Sequence, residues 1–189
     1  MLHHTTFLTI KLEEMIDWYH RVAGLTPVFH SDGGAWLTND EANHRIAFVK
    51  HPAAQPPVNK PSSAGHHHTA FEYHDFDEWL DNYIRLREDG ILPFMTLDHG
   101  PTMSAYYTDP EGNGVEIQVD NFGSWARSKE WMWASPEFHA NPIGSWVDPD
   151  KLVEARDAGL SHDEIHRRAH AGEYMPAEPP TDVLLPEVW

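Results

Sequence analysis

Two stretches of the chain repeat one pattern of apolar and polar positions. Residues 4–10 alternate like a half-buried strand, and residues 12–22 place apolar side chains on one helical stripe. Gly24 is placed to end this helix. Three short strands are predicted next, near residues 27–31, 35–38 and 44–50. The pattern therefore predicts a strand, a helix and three strands within residues 1–50.

The same order of elements is predicted for residues 66–122. A strand over 67–73 precedes a helix over 76–88, which ends at Gly90. The turn "DPEGNG" predicts a hairpin at 109–114. The remaining strands are predicted near 91–97, 102–108 and 114–120. Residues 51–65, rich in proline, separate the two copies and are predicted to be a linker.

The repeat is also visible in the residues themselves. A shift of 64 residues places "HHTTF" at residues 3–7 on "HHTAF" at residues 67–71, without a gap. The match continues through both predicted helices, where Tyr19 falls on Tyr83. Internal repetition of this kind predicts a duplicated βαβββ module and an α+β fold.

Residues 123–189 have a different character and are predicted to form a C-terminal extension. They are irregular and punctuated by proline, with helices expected near 149–158 and 161–170. We expect this extension to pack on the core or on a partner subunit of a homo-oligomer, with Trp131 and Trp133 among its anchors. It contains five of the eight tryptophans: Trp125, Trp131, Trp133, Trp146 and Trp189.

Composition excludes several classes of function. The net charge of −17 argues against binding to nucleic acids or anionic membranes. No apolar run reaches the ~20 residues of a membrane span, and no signal peptide is recognised, so a cytoplasmic location is expected. The chain has no cysteine, which removes disulfides and thiol nucleophiles. Its 15 histidines direct attention to metal binding and proton transfer.

The strand pattern places three potential metal ligands on one side of the predicted sheet. If Phe7 and Phe71 pack beneath the helices, His4 and His68 point to the opposite face. In the last strand, Glu116 alternates with apolar residues and also faces away from the helices. Two histidines and one carboxylate form the ligand set of non-haem Fe(II) oxygenases. The alternative is that these are surface histidines of a histidine-rich chain.

The stretches "HHTTF", "HHTAF" and "DHGPTMSAYYTDPEGNGVEIQVDNF" resemble the vicinal oxygen chelate superfamily, which includes glyoxalases, bleomycin resistance proteins and extradiol dioxygenases. The resemblance is strongest to one-domain type I extradiol dioxygenases, and "NPIG" and "DPDKL" in the extension share it. It implies that residues 1–122 form one domain, in which two βαβββ modules build a cupped mixed sheet around a metal. It also implies that His4, His68 and Glu116 hold that metal.

The resemblance assigns further roles near the predicted metal. Tyr106 would contact a catecholate oxygen, and His99 would help to position the substrate. Relatives with two domains carry another histidine upstream of the second ligand as an acid–base group, and His44 and His51 are both candidates in this chain. His66 and His67 are not expected to be ligands. The pocket wall is predicted to include Phe48, Phe94 and Met95.

The implied function is extradiol cleavage of a catechol-type diol by O₂ at an Fe(II) site, with Mn(II) as the alternative metal. A binding protein of the same fold that sequesters a ligand without a metal is one alternative. Another metal enzyme of the superfamily, an isomerase or a lyase, is the second. Such enzymes usually take a fourth ligand from the last strand of the first module, and "HRIAFVKH" shows no carboxylate there.

Overall fold

The computed structural model describes residues 2–56, 60, 64–181 and 183, and it divides into two units. The first contains the residues up to Thr69 together with Thr108–Val115, and the second contains Ala70–Tyr107 and the residues from Glu116 onward. Within the described ranges, no helix has the length and apolar character needed to cross a membrane. Part of the predicted linker, at residues 57–59 and 61–63, lies outside the described residues.

The first unit contains the predicted βαβββ module, and its element order is confirmed. Its sheet has the strand order β1-β4-β3-β2, with β1 parallel to β4 and the other pairs antiparallel. The elements are β1 (Thr5–Thr9), α1 (Leu12–Ala23), β2 (Thr26–Ser31), β3 (Gly34–Thr38) and β4 (Ile46–Lys50).

Helix α1 packs on this sheet through the predicted stripe. Met15, Tyr19 and Val22 are fully buried, whereas Ile16 is only partly so. Gly24 ends the helix with a left-handed φ of 67°, and its amide donates to the carbonyl of His20 at 3.0 Å. The apolar face of α1 therefore forms the core of the first unit.

Phe48 lies in this core, so the prediction that it lines the substrate pocket was wrong. In the parallel register of β1 and β4, Phe48 is the partner of Phe7. The two rings lie 5.9 Å apart, and the Phe48 ring lies 5.2 Å from Tyr19 of α1. Because partners in register share a face of the sheet, Phe48 points toward the helix together with Phe7.

The second sheet repeats the topology of the first. Its strand order is β5-β8-β7-β6, which matches β1-β4-β3-β2, and a short strand β9 (Ser145–Trp146) is added beside β6. The elements of this module are β5 (His68–Tyr73), α2 (Phe76–Glu88), β6 (Met95–Asp98), β7 (Thr102–Thr108) and β8 (Gly114–Asp120). The duplication seen in the sequence is therefore confirmed in the topology.

Strand β6 is shorter than predicted. It was expected over residues 91–97 but begins at Met95. Pro93 has no amide hydrogen to donate to a strand ladder, and Leu92 beside it is 63% exposed. The chain therefore joins the sheet only after the proline.

The extension contains more regular structure than the sequence indicated. The two predicted helices are confirmed as α5 and α6, but α3, α4 and β9 were not predicted. Helix α5 contacts α2, where the Tyr83 hydroxyl donates to Asp150 at 2.9 Å and Arg156 pairs with Asp81 at 2.7 Å. The elements are α3 (Trp125–Ala134), α4 (Pro136–Ala140), β9 (Ser145–Trp146), α5 (Pro149–Asp157) and α6 (His162–His170).

Of the two tryptophans expected to anchor the extension, one is packed and the other is exposed. The Trp131 ring lies 5.7 Å from Phe122 and 5.8 Å from His170, so it packs within the second unit. Trp133 is 70% exposed and does not anchor the extension within this chain. Trp189 lies outside the described residues.

Candidate active site

The second unit brings together three of the predicted site residues. The Tyr106 hydroxyl donates to Oε1 of Glu116 at 2.9 Å, and Nε2 of His99 lies 2.8 Å from the same hydroxyl. Tyr106 is on β7, Glu116 is on β8, and His99 follows the end of β6. Three adjacent strands therefore position one hydrogen-bonded chain of side chains.

The alternation of β8 explains why Glu116 faces this chain. Ile117 and Val119 are buried on the side of α2, where the Trp79 indole donates to the Ile117 carbonyl at 2.8 Å. Glu116 points to the other face and is only 5% exposed. The predicted division of this strand into two faces is confirmed.

Burial keeps the Tyr106 hydroxyl neutral. Its removal from water, followed by the charge and hydrogen bond of Glu116, raises the pKa of Tyr106 far above its usual range. The hydroxyl is therefore a proton donor to Glu116 at neutral pH.

Apolar side chains flank Tyr106 on the same face. Met95, Leu97 and Tyr106 form a buried cluster, against which Ile143 and Trp146 of the extension pack. Met95 is the register partner of Tyr106 in the β6–β7 pair. Phe94 is 40% exposed, and its ring lies 6.3 Å from that of Tyr106. That Met95 and Phe94 line a substrate pocket stays a prediction.

The first unit groups His4 with two other histidines. Nitrogen atoms of His3, His4 and His44 all lie within 4.8 Å of one another, and the rings of His4 and His44 are 4.4 Å apart. Burial, followed by the charges of His4 and His3, lowers the pKa of His44. His51 is exposed, and its Nδ1 accepts the amide of Ala53 at 3.1 Å. Of the two acid–base candidates, His44 is therefore the one beside His4.

The two histidine pairs of the repeat have the same geometry. Nδ1 of His3 lies 3.1 Å from Nδ1 of His4, and the equivalent distance between His67 and His68 is 2.8 Å. Both pairs of rings are nearly perpendicular, at 88° and 83°. The duplicated motif therefore produces a duplicated arrangement of imidazoles at the start of β1 and of β5.

A model of a known protein family matches most of this chain. The family model of the glyoxalase/bleomycin resistance protein/dioxygenase superfamily matches residues 1–117. The chain belongs to this superfamily. One solved structure with a similar fold is a glyoxylase/bleomycin resistance protein/dioxygenase domain from Frankia sp. EAN1pec. It is 13% identical to this chain and superposes with a TM-score of 0.52. The alignment covers 64% of this chain and 91% of the Frankia chain. That likeness confirms the fold.

Two relatives within the superfamily are more similar in sequence. Biphenyl-2,3-diol 1,2-dioxygenase 2 from Rhodococcus globerulus is 39% identical over 182 residues, which cover 96% of this chain and 95% of that protein. Biphenyl-2,3-diol 1,2-dioxygenase 3 from the same organism is 37% identical over 90% of this chain and 89% of its own. Because each similarity covers at least 90% of this chain, both reach into the C-terminal extension.

The superfamily and these dioxygenase relatives imply a metal cofactor, and the donors in this chain fit one. The carboxylate of Glu116 is buried and accepts a hydrogen bond from the neutral Tyr106 hydroxyl. A divalent cation would stabilise the buried negative charge far more strongly than this hydrogen bond does. Imidazole is a common metal ligand, and His4 and His68 each supply one. That His4, His68 and Glu116 bind one ion together stays a prediction.

Sequence reasoning left two features of this region unassigned. His44 was one of two alternatives, and its proximity to His4 depends on the return of β4 to β1. The buried Asp98, which pairs with His166 of α6, was not singled out. The sequence contained only a weak signal for this pair: Asp98 directly precedes His99, and His166 and His170 are one helical turn apart.

Proposed function

We propose that this protein is an extradiol ring-cleaving dioxygenase that inserts both atoms of O₂ into a catechol-type diol. The observation that carries the proposal is the Tyr106 hydroxyl held between His99 and Glu116. Support also comes from a relative with the name of such an enzyme, which is 39% identical across 95% of its length. A binding protein that only sequesters a ligand would not need this chain of polar side chains.

We place the metal on His4, His68 and Glu116 and propose that it is Fe(II). Two neutral imidazoles and one carboxylate leave coordination positions for other molecules, as non-haem iron oxygenases require. When bound, Fe(II) would supply sites for the diol and O₂ and a path for electrons between them. Mn(II) accepts the same donors and is the alternative metal.

Tyr106 and His99 orient the diol in this proposal. The neutral Tyr106 hydroxyl lies between Glu116 and His99, and it can turn its single proton from Glu116 to one oxygen of the diol. His99 can exchange a proton with Tyr106 or with the substrate, because its Nε2 is 2.8 Å from the hydroxyl. Fixed orientation of this kind lowers the entropic part of the barrier.

His44 is assigned the second proton-transfer role. Its ring lies beside His4, whereas His51 is engaged in a local turn at the end of β4. A histidine at this position can hold a proton close to the predicted metal.

The substrate class follows from the apolar side chains near Tyr106. Met95, Leu97 and Trp146 pack in one apolar cluster with Tyr106, and apolar surroundings of this kind suit an aromatic ring with an apolar substituent. We therefore propose an aryl- or alkyl-substituted catechol. The cytoplasmic location and the homo-oligomeric state stay predictions.

Oxygen consumption tests the proposed activity. The protein should be loaded with Fe(II) without air and then mixed with a panel of catechols in an oxygen electrode. We expect one O₂ to be consumed for each diol lost, with a coloured ring-cleavage product. Binding of diols without oxygen consumption would support a sequestration protein instead.

Metal content tests the proposed ligands. His68→Ala should lower bound iron strongly while the fold, followed by circular dichroism, is retained. His66→Ala is the matched control, because it removes a nearby histidine that is not a predicted ligand. Equal iron content in the two variants would contradict the assignment of His68.

A further inference from the structure

The carboxylate of Asp98 is fully buried directly before His99. Asp98 is the last residue of β6, and its Oδ1 accepts the amide of Gly100 at 2.7 Å. Its Oδ2 lies 2.7 Å from Nδ1 of His166, and Nδ1 of His170 lies 3.5 Å from Oδ1. Both histidines belong to α6 of the extension. A carboxylate buried in this way requires such partners to remain stable.

Other residues around the extension hold the same turn. The amide of Asn121 donates to the Pro101 carbonyl at 2.9 Å, and its side chain donates to the Gly100 carbonyl at 3.0 Å. Nε2 of His162 lies 3.0 Å from Oδ1 of Asn121. The Trp131 ring covers Gly100, where a Cβ atom would overlap it. The turn after β6 is therefore fixed from several sides.

The Asp98 side chain and the His99 ring lie on opposite faces of the sheet. Asp98 is the register partner of Met103, and Met95 is the partner of Tyr106, so the side chains of Asp98 and Tyr106 leave opposite faces of the sheet. The His99 amide donates to the Thr102 carbonyl at 2.9 Å, and its ring meets Tyr106. Asp98 thus anchors the backbone behind the residue that reaches Tyr106.

We propose that His166 and Asp98 form a positioning pair, through which the C-terminal extension sets the orientation of the His99 ring toward Tyr106. The inference rests on the proposed function, in which His99 and Tyr106 orient the diol. Neither Asp98 nor His166 touches the substrate. Their role is to hold residues 98–102 in one conformation, so that Nε2 of His99 remains within hydrogen-bonding distance of the hydroxyl.

A purely structural pair would also stabilise the turn, but the two roles differ in a measurable way. If His166 acts through His99, its removal should matter only while His99 is present. If His166 only stabilises the fold, its removal should lower activity by the same factor with or without His99. A double-mutant cycle separates these cases, because residues that act through one another are not additive.

The kinetic test compares two substitutions of His166 and a His99→Ala background. His166→Ala should lower kcat for a catechol by about 10- to 100-fold, since a displaced catalytic group has an effect of that size. Bound iron should be unchanged. His166→Asn, which can keep an N–H donor near the position of Nδ1, should restore most of the rate. In the His99→Ala background, His166→Ala should lower the remaining rate by no more than about twofold.

A spectroscopic test does not depend on activity. In the metal-free protein, the imidazole ¹⁵N signals of His99 should shift in His166→Ala and return toward their original positions in His166→Asn. His139→Ala is the matched control, because His139 lies in the same extension, where its ring meets Phe138 and its Nε2 lies 3.0 Å from the Met132 carbonyl. It should leave the His99 signals and kcat unchanged.

Each alternative outcome is decisive. Additive losses in the His99→Ala background, or His99 signals that do not respond to His166→Ala, would overturn the positioning role. If His166→Ala does not fold, His166→Asn is compared with His166→Gln, whose donor lies one carbon further out, and equal rates in these two would overturn it as well. A wild-type protein that binds iron but cleaves no catechol would refute the proposed function, and the ¹⁵N signals would still decide the positioning pair.

Discussion

The Tyr106 hydroxyl donates to Oε1 of Glu116 at 2.9 Å, and the two residues come from adjacent strands of one sheet. Glu116 is buried, so this hydrogen bond fixes the direction of both side chains. The pair connects a predicted metal ligand with a predicted substrate contact. Its properties can be tested separately from metal binding.

Tyr106→Phe should retain bound iron and lower kcat by about 10²-fold or more, because it removes the hydroxyl that handles the diol proton. Oxygen consumption and iron content measured on the same sample check this. Tyr107→Phe is the matched control, since Tyr107 is the next residue on β7, is fully buried and points to the opposite face. Near-normal turnover in Tyr106→Phe would remove the hydroxyl from the mechanism.

His44→Ala should lower turnover by about 10²- to 10⁴-fold, which is the usual contribution of a positioned proton-transfer histidine. His51→Ala should change it by less than about twofold, because His51 is exposed and bonds within its own turn. The ratio of the two rates decides between the candidates. A larger loss in His51→Ala would reverse the assignment.

Much of this arrangement is predictable from local sequence pattern. The repeated "HHT" motif predicted two modules, and alternation in β8 predicted that Glu116 faces away from Ile117. These features depend only on periodicity within one strand or helix. Helix α3 was missed because Ser128 is its only buried residue among those described, which leaves no apolar stripe to recognise.

Features that depend on contacts between residues far apart in the sequence were not predictable. Phe48 was assigned to the pocket, but its face is decided by the register of β4 on β1, and that register pairs it with Phe7. The contact of Asp98 with His166 joins residues 68 positions apart. It depends on how α6 packs, and no local pattern contains that information.

Gly100→Ala should destabilise the protein more than Gly159→Ala. Both glycines have a positive φ, of 92° and 86°, so each substitution costs about 1–2 kcal/mol in backbone strain. At Gly159 no atom lies within 4 Å of an added Cβ, whereas at Gly100 the Cβ would overlap the Trp131 ring. Urea unfolding should therefore show a larger loss for Gly100→Ala, accompanied by lower turnover through displacement of His99.

Equal losses of stability in the two glycine variants would indicate that Trp131 moves aside without cost. In that case the indole would not hold the turn. A normal rate in Gly100→Ala would further show that His99 tolerates displacement of its neighbour.

The ion pair of His170 with Asp98 should make stability depend on pH. The Asp98 carboxylate, whose Oδ1 lies 3.5 Å from Nδ1 of His170, raises the pKa of His170, although burial opposes it and the charge of Glu137 assists it. Burial alone would raise the pKa of Asp98, but the hydrogen bond from His166, the nearby His170 ring, the charge of His166 and the Gly100 amide outweigh it and lower that pKa. Asp98 therefore stays charged through the neutral range.

A raised histidine pKa stabilises the folded state when the histidine is protonated, and this contribution is lost as pH rises through the folded pKa. His170→Gln should therefore lower Tm more at about pH 6 than at about pH 9. His139→Gln, at an exposed position of α4, is the matched control. A larger effect of His170→Gln at the higher pH would contradict this direction of the pH dependence.

The origin of the oxygen atoms in the product tests the proposed reaction most directly. The iron-loaded protein should be mixed with a substituted catechol under ¹⁸O₂, and the ring-opened product should be analysed immediately by mass spectrometry. We predict that both atoms of one O₂ molecule are incorporated and that the ring opens beside the diol. A product that contains one labelled atom or none, or a diol that is bound but unchanged, would contradict the assignment of this chain as an extradiol dioxygenase.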